Sequence, residues 1–186
     1  MWGTAMKQPT PFNIPGCLKE KICTAEQAAS IIPDHTVVTA SGYTAAGAPK
    51  AVLTALAARG EAGEIQAIDL ITAAQLPGEL EDTLVAAGIL RRRAPFTVSG
   101  LVRKKANAQE LHYVEVPMAK MPRLVAGGCF GTPDTAVIEV MGLGEDGRAI
   151  PTTSLGMNQL LCQTSRQIIV EVNMAQPQFL CGIHDV

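Results

Sequence analysis

Three short runs of β-branched and aliphatic residues restrict this chain more than any other feature: Thr36-Val37-Val38-Thr39-Ala40, Thr135-Ala136-Val137-Ile138-Glu139-Val140 and Ile168-Ile169-Val170-Glu171-Val172. Such runs lack the polar alternation of a strand with one wet face, so they predict strands buried on both faces. A sheet covered on both faces needs helices above and below, and the intervening sequence supplies them. Thr24-Ala25-Glu26-Gln27 has the form of a capping box, and Pro33 stops the helix it opens. Pro49 opens a second helix that Gly60 closes, with Val52, Leu53 and Leu56 as its apolar stripe. Residues 67–72 predict a further strand, 79–87 a helix ending near Gly88, 101–108 another helix, 112–116 a strand stopped by Pro117, and 122–126 a short helix. Strands alternating with helices read as βαβ units. The expected fold is therefore α/β, an open, mostly parallel sheet flanked by helices. Residues 1–20, with Pro9, Pro11, Pro15 and Gly16, read as an N-terminal arm, and residues 21–186 as the domain.

Composition agrees and excludes several functions. Of the 186 residues 47% are hydrophobic but only 4% aromatic, so small and branched side chains must form the helix-on-sheet core. The net charge of −2 gives no overall attraction for nucleic acid or an anionic membrane. No run of eighteen apolar residues occurs, and the first sixteen residues do not have the form of a signal peptide. Five cysteines (Cys17, Cys23, Cys129, Cys162, Cys181) form no CxxC pair, so free thiols in a reducing, cytoplasmic setting are expected. His35, His112 and His184 are not spaced as ligands on one element, and no metal is expected. Two basic clusters, Arg91-Arg92-Arg93 and Arg103-Lys104-Lys105, read as a solvated helix face or as an attraction for an anionic substrate.

In open α/β sheets, ligands bind beyond the carboxyl ends of the strands. Three segments fall there. In Ser41-Gly42-Tyr43-Thr44-Ala45-Ala46-Gly47-Ala48-Pro49 the glycines let backbone amides approach a ligand, and the helix that follows turns its positive end toward the same space. A plain strand-to-helix turn is the other reading. Ile150-Pro151-Thr152-Thr153-Ser154-Leu155-Gly156-Met157-Asn158 offers hydroxyl and amide donors for a carboxylate or thioester oxygen, or else satisfies its own backbone. The third feature is the pair of strand carboxylates, Glu139 and Glu171. A charge inside an apolar strand is costly unless paired, so each is expected to be tied to an arginine or a loop amide. The alternative is a nucleophile or base.

The order of these segments resembles the acetyl-CoA hydrolase/transferase family, a group of CoA-transferases. The resemblance rests on Ser41-Gly42-Tyr43 with Gly47 and Pro49-Lys50-Ala51; Arg92-Arg93-Ala94-Pro95-Phe96; Arg103-Lys104 with Asn107; Tyr113-Val114-Glu115; Asp134 through Val140; Glu145-Asp146-Gly147; Ile150 through Gly156; and Ile168 through Asn173 with Pro177. It covers the chain from about Lys21 onward. It implies two similar α/β halves packed face to face, with the active site between them and a homo-oligomer when complete. It also implies a ping-pong reaction in which a glutamate of the second half accepts the acyl group and then CoA from an acyl-CoA, before a small carboxylate such as acetate collects the CoA. On that basis this chain is the N-terminal half, it holds no catalytic nucleophile, and it is inactive alone. Its partners are then the C-terminal half, an acyl-CoA and a small carboxylate, and coenzyme A enters as the thioester substrate rather than as a resident group. The expected substrate-binding residues are Ser41, Gly42, Tyr43, Gly47, Pro49, Thr152, Thr153, Ser154, Gly156 and Asn158. Arg92, Arg93 and Arg103 would hold the second half or substrate anions. An apolar patch facing that half is expected as well. The chain departs from the family pattern at Thr72-Ala73-Ala74-Gln75, at Pro117-Met118-Ala119-Lys120, and at Met157, which stands between Gly156 and Asn158. The alternative from another class is a non-catalytic module that binds acyl-CoA or a carboxylate, or a remnant with no catalysis.

Overall fold

The computed structural model describes residues 15–144 and 146–176; most of the expected arm, Glu145, Pro177, Cys181 and His184 lie outside them. A 3-10 turn, Gly16–Lys21, precedes α1 (Ala25–Ser30). Then follow β1 (Thr36–Ala40), α2 (Lys50–Glu61), β2 (Ile68–Thr72), α3 (Gly78–Ala86), β3 (Leu90–Ala94), α4 (Gly100–Asn107), β4 (His112–Tyr113), α5 (Met121–Ala126), β5 (Thr135–Leu143), β6 (Ala149–Pro151), α6 (Asn158–Thr164) and β7 (Gln167–Val172). The capping box is present: Thr24 Oγ1 accepts from Gln27 N at 3.2 Å, and Gln27 Oε1 accepts from Thr24 N at 2.9 Å.

All seven strands join one sheet, and β6 alone is antiparallel to its neighbour. β5 lies at its heart. Residues 135–137 of β5 pair with β1 on one edge and with β7 on the other. Val140 pairs with Val172 of β7 and with Pro151 of β6, so β6 continues the edge that β1 occupies. β1 runs parallel to β5 and β6 runs against it. Their carboxyl ends therefore meet along one edge of β5, with Glu139 at the junction.

Alternate strand residues serve two apolar layers. Val38, Ala40, Ile68, Leu70 and Val137 pack with Ile32, Leu53, Leu56, Leu84 and Val102, which places α1 to α4 on one face. Ile71, Ala94 and Ala136 pack with Met121, Val125, Met157 and Leu161, which places α5 and α6 on the other. Of the three apolar runs, β5 is buried from Thr135 to Gly142 as expected and β1 from Val38 to Ala40, but β7 pairs only with β5 and lies at an edge, where Ile169 alone is buried and Ile168 is exposed.

Three local expectations need correction. Gly60 lies inside α2 rather than closing it. A Cβ at Gly60 would stand 2.3 Å from Ile89 Cγ2, so close packing against the α3–β3 connection explains this glycine. Gly63, at φ +73°, supplies the left-handed residue just beyond the helix. The strand expected over residues 112–116 pairs only through His112 and Tyr113. The Arg91-Arg92-Arg93 cluster is neither a helix face nor a free cationic surface; it is strand β3. Arg91 and Arg92 both grip Asp69 Oδ atoms of β2, each at 2.8 Å. Arg93 is fully buried against Glu81 of α3, with Nη2 2.6 Å from Oε1, and Thr97 donates to the other carboxylate oxygen.

Breaking a buried ion pair leaves an uncompensated charge in the core. Arg93→Met or Glu81→Leu alone should lower the unfolding free energy by about 3–5 kcal/mol, and the double variant should recover most of that loss. Urea denaturation checks this. A loss in the double variant equal to the sum of the two single losses would show that the pair is not coupled.

Candidate functional site

The meeting of β1 and β6 brings two of the three chemistry-bearing segments together. Ser41, one residue beyond β1, donates its hydroxyl to Gly47 O at 2.5 Å and accepts from Glu139 N at 2.8 Å. This closes the segment from Ser41 to Gly47 into a loop whose tip is a tight turn, with Tyr43 N bonded to Ala46 O and Ala46 N to Tyr43 O. Thr152, one residue beyond β6, donates to Glu139 Oε1 at 3.0 Å. The two loops then touch directly. A Cβ on Gly47 (φ +67°) would lie 3.1 Å from Ser154 Cβ and 3.3 Å from Thr152 Oγ1, so glycine is required both for its backbone angle and for the space.

Glu139 is 2% exposed and organises this junction. Besides Thr152, its carboxylate accepts from Asn173 Nδ2 at 3.3 Å, at the end of β7, and lies 3.6 Å from Lys50 Nζ. Lys50 also donates to the carbonyls of Ala45 and Ala48, each at 3.3 Å, which ties the β1 loop to the same charge. One carboxylate therefore links the ends of three strands and the start of α2. Glu171 does something different. Its oxygens accept from the amides of Ala51 at 3.1 Å and Val52 at 2.8 Å, in the first turn of α2. Neither carboxylate has the expected arginine, and Glu171 is held by helix amides rather than loop amides, whereas Glu139 is held by side-chain donors. The positive end of α2, expected to face a ligand, is instead occupied by Glu171. Pro49 caps that helix from a buried position and is not its first residue.

A third loop joins the two. Gln75, just past β2, accepts from Thr44 N through its carbonyl at 2.9 Å. A Cβ on Gly42 would lie 3.1 Å from Leu76 Cδ2, and one on Gly156 would lie 3.5 Å from Ala73 Cβ. Of the ten residues singled out by the sequence, Ser41, Gly42, Gly47, Pro49, Thr152 and Asn158 are buried, Ser154 is half-buried, and Tyr43, Thr153 and Gly156 are exposed. Lys50, Asn173 and Gln75 were missed as site residues. The first two stood in the quoted motifs, but nothing in their spacing says that one buried carboxylate joins them.

Other features lie apart. A cavity of about 420 Å³ at the β4 edge is lined by Phe96, Thr97, Arg103, Ala106, Asn107, Tyr113 and Glu115. There burial, with the nearby Glu115 charge, raises the Tyr113 phenol above its usual pKa. Exposed apolar side chains follow five strands: Tyr43 after β1, Val98 after β3, Met118 after β4, Leu155 after β6 and Met174 after β7. Among the described residues no three His, Cys, Asp or Glu side chains form a metal-holding group, and no helix is long and apolar enough to cross a membrane.

The sheet order and helix layers define a CoA-transferase-like α/β domain. They match an acyl-CoA transferase of Escherichia coli O157:H7 with a TM-score of 0.66 at 14% identity, over 84% of this chain and 47% of that one. The profile of the acetyl-CoA hydrolase/transferase N-terminal domain matches residues 17–186, and the chain belongs to that family. A succinyl-CoA:acetate CoA-transferase of Clostridium kluyveri is 32% identical over 91% of this chain and 32% of its own length. A propanoyl-CoA:succinate CoA transferase of Escherichia coli is 36% identical over 81% of this chain and 31% of its own length. The chain thus spans about a third of the curated relatives it matches.

The contact between the loops gives a direct test. Alanine at a left-handed position costs about 1–2 kcal/mol. Gly63 has a similar φ of +73° but open space around it. Gly47→Ala should therefore lower the melting temperature more than Gly63→Ala, the difference reporting the clash with Thr152 and Ser154. Equal shifts would mean that the loops do not pack together in solution.

Proposed function

We propose that this chain is the N-terminal part of an enzyme that moves CoA between an acyl-CoA and a small carboxylate such as acetate, as a CoA-transferase or acetyl-CoA hydrolase. In this reading it supplies one wall of the acyl and carboxylate pocket. The observation that carries the proposal is the convergence at Glu139. There the segments containing Ser41, Gly42, Tyr43, Gly47 and Pro49, and Thr152, Thr153, Ser154, Gly156 and Asn158, meet at the carboxyl end of the sheet. Family membership supports the chemistry, and the solved fold supports the architecture.

The reaction then runs in balanced steps. A glutamate carboxylate on the remaining part of the enzyme attacks the thioester carbonyl, and CoA thiolate leaves as an acyl-glutamyl anhydride forms. The thiolate attacks the glutamyl carbonyl, releasing the acyl group as a carboxylate and leaving a glutamyl-CoA thioester. The incoming carboxylate attacks the glutamyl-CoA carbonyl and expels CoA thiolate, and the thiolate then attacks the acyl carbonyl of the new anhydride, giving the product acyl-CoA and freeing the glutamate; in a hydrolase water attacks the thioester instead, releasing CoA and the glutamate. Glu139 and Glu171 do not serve as the nucleophile in this reading, because hydrogen-bond donors already engage both carboxylates. The role of this chain is to orient the acyl and carboxylate ends and to exclude water from them. The exposed apolar residues that follow five strands are the surface against which the rest of the enzyme would pack.

A CoA-transfer assay with a short acyl-CoA and acetate, run on this chain alone and on this chain assembled with the remaining part of the enzyme, tests the proposal. Turnover is expected only in the assembled form. Turnover by the chain alone would place the nucleophile within it, and its absence from a verified assembly would refute the CoA-transfer reading.

A further inference from the structure

The far edge of the sheet carries polar groups that the fold leaves idle. β4 ends the sheet there, three strands from β1, which at the usual strand spacing is about 14 Å away. Phe96 and Thr97, in the connection from β3 to α4, line the cavity of about 420 Å³ at this edge, together with Ala106 of α4 and Tyr113 of β4. These four make a firm wall. Thr97 accepts from Ser99 N at 2.9 Å and donates to the buried Glu81 carboxylate, while Ala106 and Tyr113 pack on the main apolar core.

Three polar side chains complete the lining: Arg103 and Asn107, one turn apart on α4, and Glu115, two residues beyond β4. Their chemistry is not spent on the fold. Arg59, Arg91, Arg92, Arg93, Arg148 and Arg166 each reach a carboxylate at 3.4 Å or less. The Arg103 guanidinium reaches none, and neither it nor the Asn107 amide bonds to any described residue. Glu115 meets only the Tyr113 hydroxyl, which donates to it at 3.4 Å. A cation and a carboxylate thus line one cavity without forming an ion pair with each other. Because the lining carries one charge of each sign, it gives little net pull on a simple anion or a simple cation. What matches it is a molecule that carries both charges and presents an apolar body to Phe96 and Ala106. The volume is in the range that small-molecule sites occupy.

We propose that this cavity binds a small amino acid, its carboxylate on Arg103 and Asn107 and its ammonium on Glu115. A guanidinium offers a carboxylate two parallel donors, and the Asn107 amide adds a third. The site lies apart from the Glu139 junction and does not rest on the CoA-transfer reading. Both ends of the recognition are charge-assisted, so an analogue that lacks one charge leaves the facing protein charge unmet.

Isothermal titration calorimetry on this chain tests the proposal with leucine and 5-aminopentanoate. The single-charge analogues are 4-methylpentanoate and isopentylamine for the first, and pentanoate and pentylamine for the second. At least one amino acid is expected to bind about tenfold or more tightly than both of its analogues. Arg103→Met and Glu115→Gln should each remove that preference, whereas Lys104→Met, beside Arg103 but outside the cavity lining, should leave it in place. Binding no tighter for either amino acid than for its analogues, or a preference that survives both cavity variants, would overturn the proposal. CoA transfer is not measured in this experiment, so either result leaves the reading of the Glu139 junction as it stands.

Discussion

A single carboxylate buried in a β-strand shapes everything at the carboxyl end of this sheet. Glu139 sits where β1 and β6 meet along one edge of β5, and a charge there would be prohibitive without partners. It has three donors from separate parts of the chain: the Thr152 hydroxyl, the Asn173 amide and the half-exposed Lys50 ammonium. Each fixes a different element. Thr152 brings in the β6 loop, Asn173 holds the end of β7, and Lys50 reaches the carbonyls of the β1 loop as well. A network of this kind gives a definite arrangement, because each partner left unpaired would carry its own penalty.

The architecture was legible because its signals were local and strong. The β1 run gave a strand with the observed limits, the β5 and β7 runs gave strands slightly longer than the apolar cores that announced them, and the capping box at Thr24 formed as read. The misses share one cause: tertiary pairing that leaves no local trace. β3 reads Leu-Arg-Arg-Arg-Ala, which by composition is a poor central strand. Asp69, shared by Arg91 and Arg92, and Glu81, paired with Arg93, give each arginine a carboxylate partner and allow the strand into the sheet. β6 is three residues long and exists only because β5 runs beyond the end of β1 and leaves its edge free.

The candidate site was legible in part. Glycines and hydroxyls after strands marked two loops that the fold does bring together at the carboxyl end of the sheet. Lys50 and Asn173 were not legible as site residues, because each acts through Glu139 and their common target appears only once three strand ends converge. The α2 N-terminus failed in the other direction. A proline-opened helix after a glycine loop has the form of an anion site, and Glu171 from β7 already occupies it.

That internal occupation has a consequence for how the crevice meets an anion. The positive end of α2 is balanced by Glu171, and Lys50 is balanced by Glu139, so this wall of the crevice is close to electrically neutral. A neutral wall exerts little long-range pull on a negatively charged guest and loses little when salt is added. Any long-range pull on an anion at this end of the sheet would therefore have to come from other surfaces.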